Sequence, residues 1–146
     1  MGLYVSIVKD TRKAILCMID FSVNTEKVVK WAAEDAFDHQ ASLSILYPYR
    51  LKFQRDGEEK PMAKKQQETE AMEGFQKIKA AIPILKDIPH DFLVEVGFAT
   101  DRLEAHMQDE GMSLIVLSRE MARMVENDNN WNTLLKRLTI PIVLVP

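Results

Sequence analysis

The chain alternates short apolar runs with longer amphipathic stretches. Apolar residues crowd together at 14–19, 42–47, 92–96, 114–117 and 140–145, and three of these runs are nearly continuous in Ile, Leu and Val. Runs of that length and density predict strands buried on both faces, as in a parallel sheet. Between them the apolar residues recur with helical period. Val28, Val29, Ala32, Ala33, Ala36 and Phe37 form a first stripe, preceded by Ser22, Asn24 and Thr25 as candidate N-caps. Met72, Phe75, Ile78, Ile82 and Leu85 form a second, which Pro83 is expected to terminate. Leu103, Ala105 and Met107 predict a shorter third helix, opened by Thr100 and Asp101 and closed by Gly111. Trp131, Leu134, Leu135 and Leu138, spaced i, i+3, i+4 and i+7, predict a fourth.

Strands alternating with helices read as right-handed βαβ units wound around a parallel sheet. The expected fold is therefore α/β: a single doubly wound domain over residues 1–146, its five-stranded, mostly parallel sheet flanked by about four helices in a flavodoxin-like order. Ligands in such folds bind beyond the carboxyl ends of the strands. Two stretches interrupt the rhythm on that edge. Residues 50–65 carry six basic and three acidic side chains around Gly57 and Pro61, and residues 120–130 end in the polar run Glu126-Asn127-Asp128-Asn129-Asn130. Both read as solvated surface loops, with lids or partner surfaces as the functional alternative.

Composition narrows the function classes. A formal charge of −3 argues against nucleic-acid binding, and the absence of a long uninterrupted apolar run argues against a membrane span. The first residues lack the basic, apolar and small-residue pattern of a secretory signal, so the expected compartment is the cytoplasm. Cys17 is the lone cysteine, and His39, His90 and His106 are scattered without metal-ligand spacing, so neither a disulfide nor a metal site is expected. Cys17 lies mid-strand and reads as a small buried hydrophobe. No Gly-x-Ser-x-Gly elbow occurs, and no catalytic residue is assigned.

Several segments carry a resemblance in their order and spacing. A buried strand ends in Asp20-Phe21-Ser22, a helix follows with Val28, Val29, Ala32 and Ala33, and a second strand occupies 41–47. Later come Val94-Glu95-Val96-Gly97, the strand Ser113-Leu114-Ile115-Val116-Leu117-Ser118, and the proline-led Ile140-Pro141-Ile142-Val143-Leu144-Val145. Over residues 13–146 this pattern resembles the universal stress protein family, whose fold is also described as adenine nucleotide alpha hydrolase-like. The resemblance implies a stress-response role. One kind of member binds ATP through a glycine-rich stretch after the fourth strand, where backbone N–H groups and a helix N-terminus cradle phosphate. Here the last glycine is Gly111, before the fourth strand, and Ser118 stands at the first motif glycine. The bulky Arg119-Glu120-Met121-Ala122-Arg123-Met124 follows, so the chain is similar to the kind of member that does not bind ATP.

The resemblance places a ligand pocket at Asp20, Ser22, Tyr47, Pro48, Ser118 and Arg119. Asp20 matches the residue that lines the adenine side in ATP-binding relatives, and the Tyr47-Pro48 pair matches an adenine-contacting position. Asp20 and Ser22 read equally well as a brace for the turn into the first helix. Met121 and Met124 are candidates to plug the vacated phosphate half. An apolar strand at a sheet edge needs a cover, and relatives pair theirs across a two-fold axis. Ile140, Ile142, Val143, Leu144 and Val145 are thus the expected homodimer strand. The expectation is a non-enzymatic stress-response regulator or scaffold that partners itself and unidentified proteins, but no nucleic acid and no membrane. No cofactor is expected, and binding of ATP, another nucleotide or a different small metabolite in a modified pocket is the alternative.

Overall fold

Five strands form one sheet in the order β3-β2-β1-β4-β5, and every neighbouring pair runs parallel. The structure is a computed structural model in which residues 13–51, 61–108, 111–127 and 131–146 are described. Along the chain come β1 (Ala14–Met18), α1 (Thr25–His39), β2 (Ser42–Tyr49), α2 (Pro61–Ala81), a 3-10 turn (Pro83–Asp87) and β3 (His90–Val96). They are followed by α3 (Ala99–Met107), β4 (Met112–Ser118), α4 (Arg119–Glu126), α5 (Trp131–Arg137) and β5 (Ile142–Val145). The predicted α/β domain with its doubly wound parallel sheet is the observed fold, with five described α-helices rather than about four.

The near-continuous apolar strands are explained by burial on both faces. In β1, Ile15 and Cys17 point into a core shared with α1 and α2, while Leu16 and Met18 point into a second core shared with α3, α4 and α5. β4 divides the same way, with Val116 on the first side and Ile115 and Leu117 on the second. Each strand thus feeds two cores by simple alternation. Chain direction across the sheet reverses between β1 and β4, because β2 and β3 extend one way and β4 and β5 the other. The carboxyl ends on either side of that reversal define the crevice.

Several local expectations are corrected. Phe37 belongs to the predicted stripe of α1 but is 51% exposed, and Met72 in the stripe of α2 is 45% exposed. The buried face of α2 is rotated by one residue, so that Ala71 takes the place of Met72 beside Phe75 and Ile78. Pro83 does end α2, and then starts the 3-10 turn that carries Leu85 into the core. The stretch read as a loop from residue 120 is largely helix α4. Met121, Ala122 and Val125 give it a buried face, while its remaining residues are charged or half-exposed, which hides the period over only eight residues. Residues 52–60 and 128–130, the rest of the two irregular stretches, lie outside the described residues. No helix among the described residues is long and apolar enough to cross a membrane.

Candidate functional site

β1 ends in a sharply bent segment. Asp20 Oδ1 accepts the backbone N–H of Ser22 at 2.9 Å and the Thr25 hydroxyl at 3.4 Å. These bonds fasten the strand to the first turn of α1, the bracing role available to Asp20 from its position. Phe21, between them, has φ 58°, a left-handed conformation that costs a bulky side chain about 1–2 kcal/mol. Its ring offsets this by packing edge-on to Tyr47 at 4.8 Å and to Phe92 at 6.1 Å. The ring also crosses α2 at Gly74, where a Cβ would lie 3.0 Å from Phe21 Cε1. Gly74 is thus required for close approach and not for backbone freedom.

The other wall of the crevice begins at the end of β4. Ser118, buried, occupies the N-cap of α4, and its hydroxyl accepts the Met121 N–H at 3.0 Å. Arg119 is exposed. Glu120, in the first turn, has its carboxyl pKa lowered by hydrogen bonding to its own backbone N–H, then by the Asn24 amide, and further by Arg123. The Asn24 side chain donates to Glu120 Oε1 at 2.9 Å across 96 residues of sequence. Asn24 stands at the N-cap of α1 but makes no capping bond with its side chain, which reaches over the crevice instead. Because the carboxyl pKa is depressed, this link persists above the ordinary glutamate range and is lost only as pH falls through the lowered value.

The six pocket residues expected from sequence fall on both sides of this crevice. Asp20 and Ser22 follow β1, Ser118 and Arg119 lie at the end of β4, and Tyr47 and Pro48 sit near the end of β2. Burial, with the charges of Asp20 and Glu70, raises the Tyr47 phenol pKa. A hollow of about 300 Å³ opens between Phe21, Tyr47, Gln67, Glu70 and Gly74. A larger cleft of about 660 Å³ lies on the opposite face of the sheet, where Pro48 meets Phe98 and Met124. Met121 is 1% exposed and packs in the second core, whereas Met124 is 48% exposed at the rim of the larger cleft. Sequence reasoning missed Asn24 as a crevice residue, and Phe98. Only Phe98, directly after Gly97 with φ 144°, sits at a position that the turn following a strand could have marked.

Among the described residues no three His, Cys, Asp or Glu side chains gather to hold a metal ion. Cys17 is fully buried in β1, and burial alone pushes its thiol up to about 12. The native thiol is therefore expected to resist a disulfide reagent at pH 8 until the chain is unfolded, and rapid native labelling would contradict its position. In the unfolded chain the thiol ionises near 9.0, so this group lowers stability as pH rises from 9.0 towards 12.

The profile of the universal stress protein family matches residues 11–146. Among solved structures, a universal stress protein family member from Burkholderia pseudomallei aligns with TM-score 0.69 and 20% identity, covering 93% of this chain and 97% of that one. Universal stress protein UspA from Lactobacillus plantarum aligns with TM-score 0.66 and 16% identity, covering 92% and 97%. A universal stress protein from Archaeoglobus fulgidus in complex with dAMP aligns with TM-score 0.61 and 14% identity, covering 92% and 98%. Among curated proteins, none matches this chain.

Proposed function

Since the chain belongs to the universal stress protein family across residues 11–146, we propose that it is a non-enzymatic stress-response regulator or scaffold. In this reading it acts in the cytoplasm as a homodimer, without the ATP binding of the family's glycine-rich members. The observation that carries the reading is the contrast between the two edges of the sheet. The β3 edge, sequence HDFLVEV, is guarded by Asp91 and Glu95. The β5 edge, sequence IVLV, holds no charge and leaves Leu144 48% exposed. An uncharged apolar edge needs a cover, and a second copy of the same strand supplies one across a two-fold axis.

The reading on ATP is supported by α4. The resemblance puts phosphate at the start of the helix after β4, where the helix dipole favours an anion. In this chain that position is filled by its own anion, the Glu120 carboxylate held by Asn24. A triphosphate would have to displace this carboxylate against its negative charge, with no glycine after Gly111 to let it approach the backbone.

Two measurements test these points separately. Light scattering is expected to give twice the mass of one chain at micromolar concentration, and a monomer there would refute the dimer. Millimolar ATP is expected to leave the melting temperature unchanged. A clear rise would refute the second half of the proposal. A second reading, capture of a small metabolite at the carboxyl edge, is favoured by the 660 Å³ cleft, which falls within the ~300–1,000 Å³ span of ligand pockets.

A further inference from the structure

The cleft between the ends of β2 and β3 and the helices α3 and α4 brings Arg50, Phe98 and Asp101 together with Pro48 and Met124. Its apolar surfaces come from Pro48, Phe98 and Met124, and its polar groups include Arg50, Asp101 and Asn127. Phe98 and Met124, 49% and 48% exposed, leave an apolar rim open to solvent. The Arg50 guanidinium lies 3.8 Å over the centre of the Phe98 ring. Stacking of this kind fixes the plane of the guanidinium and leaves its N–H fork free for a partner. Among the described residues no carboxylate pairs with it, whereas the nearby cation Arg102 pairs with Glu95 at 3.7 Å. A guanidinium stacked on a ring, with no carboxylate partner among the described residues and an apolar cleft beside it, suits a carboxylate attached to an apolar body.

We propose that this cleft binds a small organic carboxylate with an aryl or short alkyl body, its carboxylate on Arg50 and its body between Pro48, Phe98 and Met124. The proposal deepens the second reading above and does not depend on the dimer. Asp101 shapes the specificity. Asp101 lines the same cleft, so its charge disfavours a second negative charge and restricts the ligand to a monoanion. This sets the site apart from the α4 terminus. The anion here is held at the β2 side by Arg50, and the charge of Asp101 in the same cleft would repel a polyphosphate.

The test uses the full chain, isotopically labelled, titrated with 4-phenylbutyrate and with the uncharged 4-phenylbutanol. The expected result is sub-millimolar binding of the acid and about tenfold weaker binding of the alcohol, the difference expected for hydrogen bonds to a charged group. Backbone signals of Gly97, Phe98 and Asn127 should move. Arg50→Gln, at an exposed position, is expected to weaken the acid about tenfold and leave the alcohol unchanged, whereas Asp101→Asn should strengthen the acid severalfold. Equal binding of acid and alcohol, no effect of R50Q, shifts confined to residues outside the cleft, or no binding would each overturn the proposal. AMP serves as the nucleotide arm. AMP binding that perturbs Asp20 and Ser118 while the acid fails to bind would overturn this site and leave the broader small-metabolite reading standing.

Discussion

If the chain is the proposed homodimer, Leu144→Asp is expected to turn it into a monomer at micromolar concentration without unfolding the chain. Leu144 is 48% exposed in the single chain, so its replacement removes little from either core. Fold stability should therefore change by less than about 1 kcal/mol, as at other surface positions. The dimer is affected far more. A two-fold interface repeats every substitution, so two partly buried leucine contacts are lost at about 1 kcal/mol each, and two carboxylates are brought towards one another in a desolvated seam. A total on the order of 3 kcal/mol weakens association more than about a hundredfold. Met72→Asp, on the outer surface of α2 and 45% exposed, is the control and should remain dimeric. Sedimentation or light scattering reads the mass, and circular dichroism confirms the fold. A Leu144→Asp chain that stays dimeric would place the interface elsewhere.

The parts of the molecule that were legible in the sequence are those set by short-range alternation. β1 and β4 feed two cores at once, so their apolar runs are nearly continuous and bounded, and the order of strands and helices then leaves few topologies. The edges of elements were less legible. β5 begins at Ile142, not Ile140, because Pro141 cannot donate to the ladder, although its carbonyl accepts the Ile115 N–H at 3.1 Å. The face of α2 was misplaced by one residue because Ala71 and Met72 are both apolar, and only the sheet decides which one it covers.

The candidate site was legible in its residues and not in its connections. Asp20 and Ser118 follow from their places at strand ends. That Asn24 reaches Glu120 is a contact between residues 96 apart, for which one sequence holds no signal. The positive φ of Phe21 was equally hidden, because a phenylalanine is a poor advertisement for a left-handed turn. Its cost is met by Tyr47, Phe92 and the missing side chain at Gly74, three groups from three other elements. The missing glycines after β4 were visible from the start. What stands in their place, a capped helix with a carboxylate over its first turn, emerged only when the two ends of the crevice met.

The two methionines of α4 separate a core helix from a removable plug. Met121→Ala is expected to destabilise the chain by about 2–4 kcal/mol, within the range for emptying a buried methionine site. The thermal midpoint should fall by about 5–15 °C. The cost arises because Met121 is 1% exposed among Leu16, Met18, Leu46 and Leu117, which belong to three strands and cannot all close on the void. Met124→Ala, one turn along but 48% exposed, should cost less than about 1 kcal/mol, since alanine also favours the helix. A plug lying loosely in a vacated ligand site behaves differently: its truncation costs little and opens room for a ligand. Chemical denaturation of both variants, followed by a melt with and without ATP, decides between them. If Met121→Ala is as stable as the parent and gains ATP-dependent stabilisation, Met121 is a plug and the pocket lies beneath it. If the variant is strongly destabilised and indifferent to ATP, α4 is part of the core, and the phosphate half of the crevice has been rebuilt as structure rather than blocked.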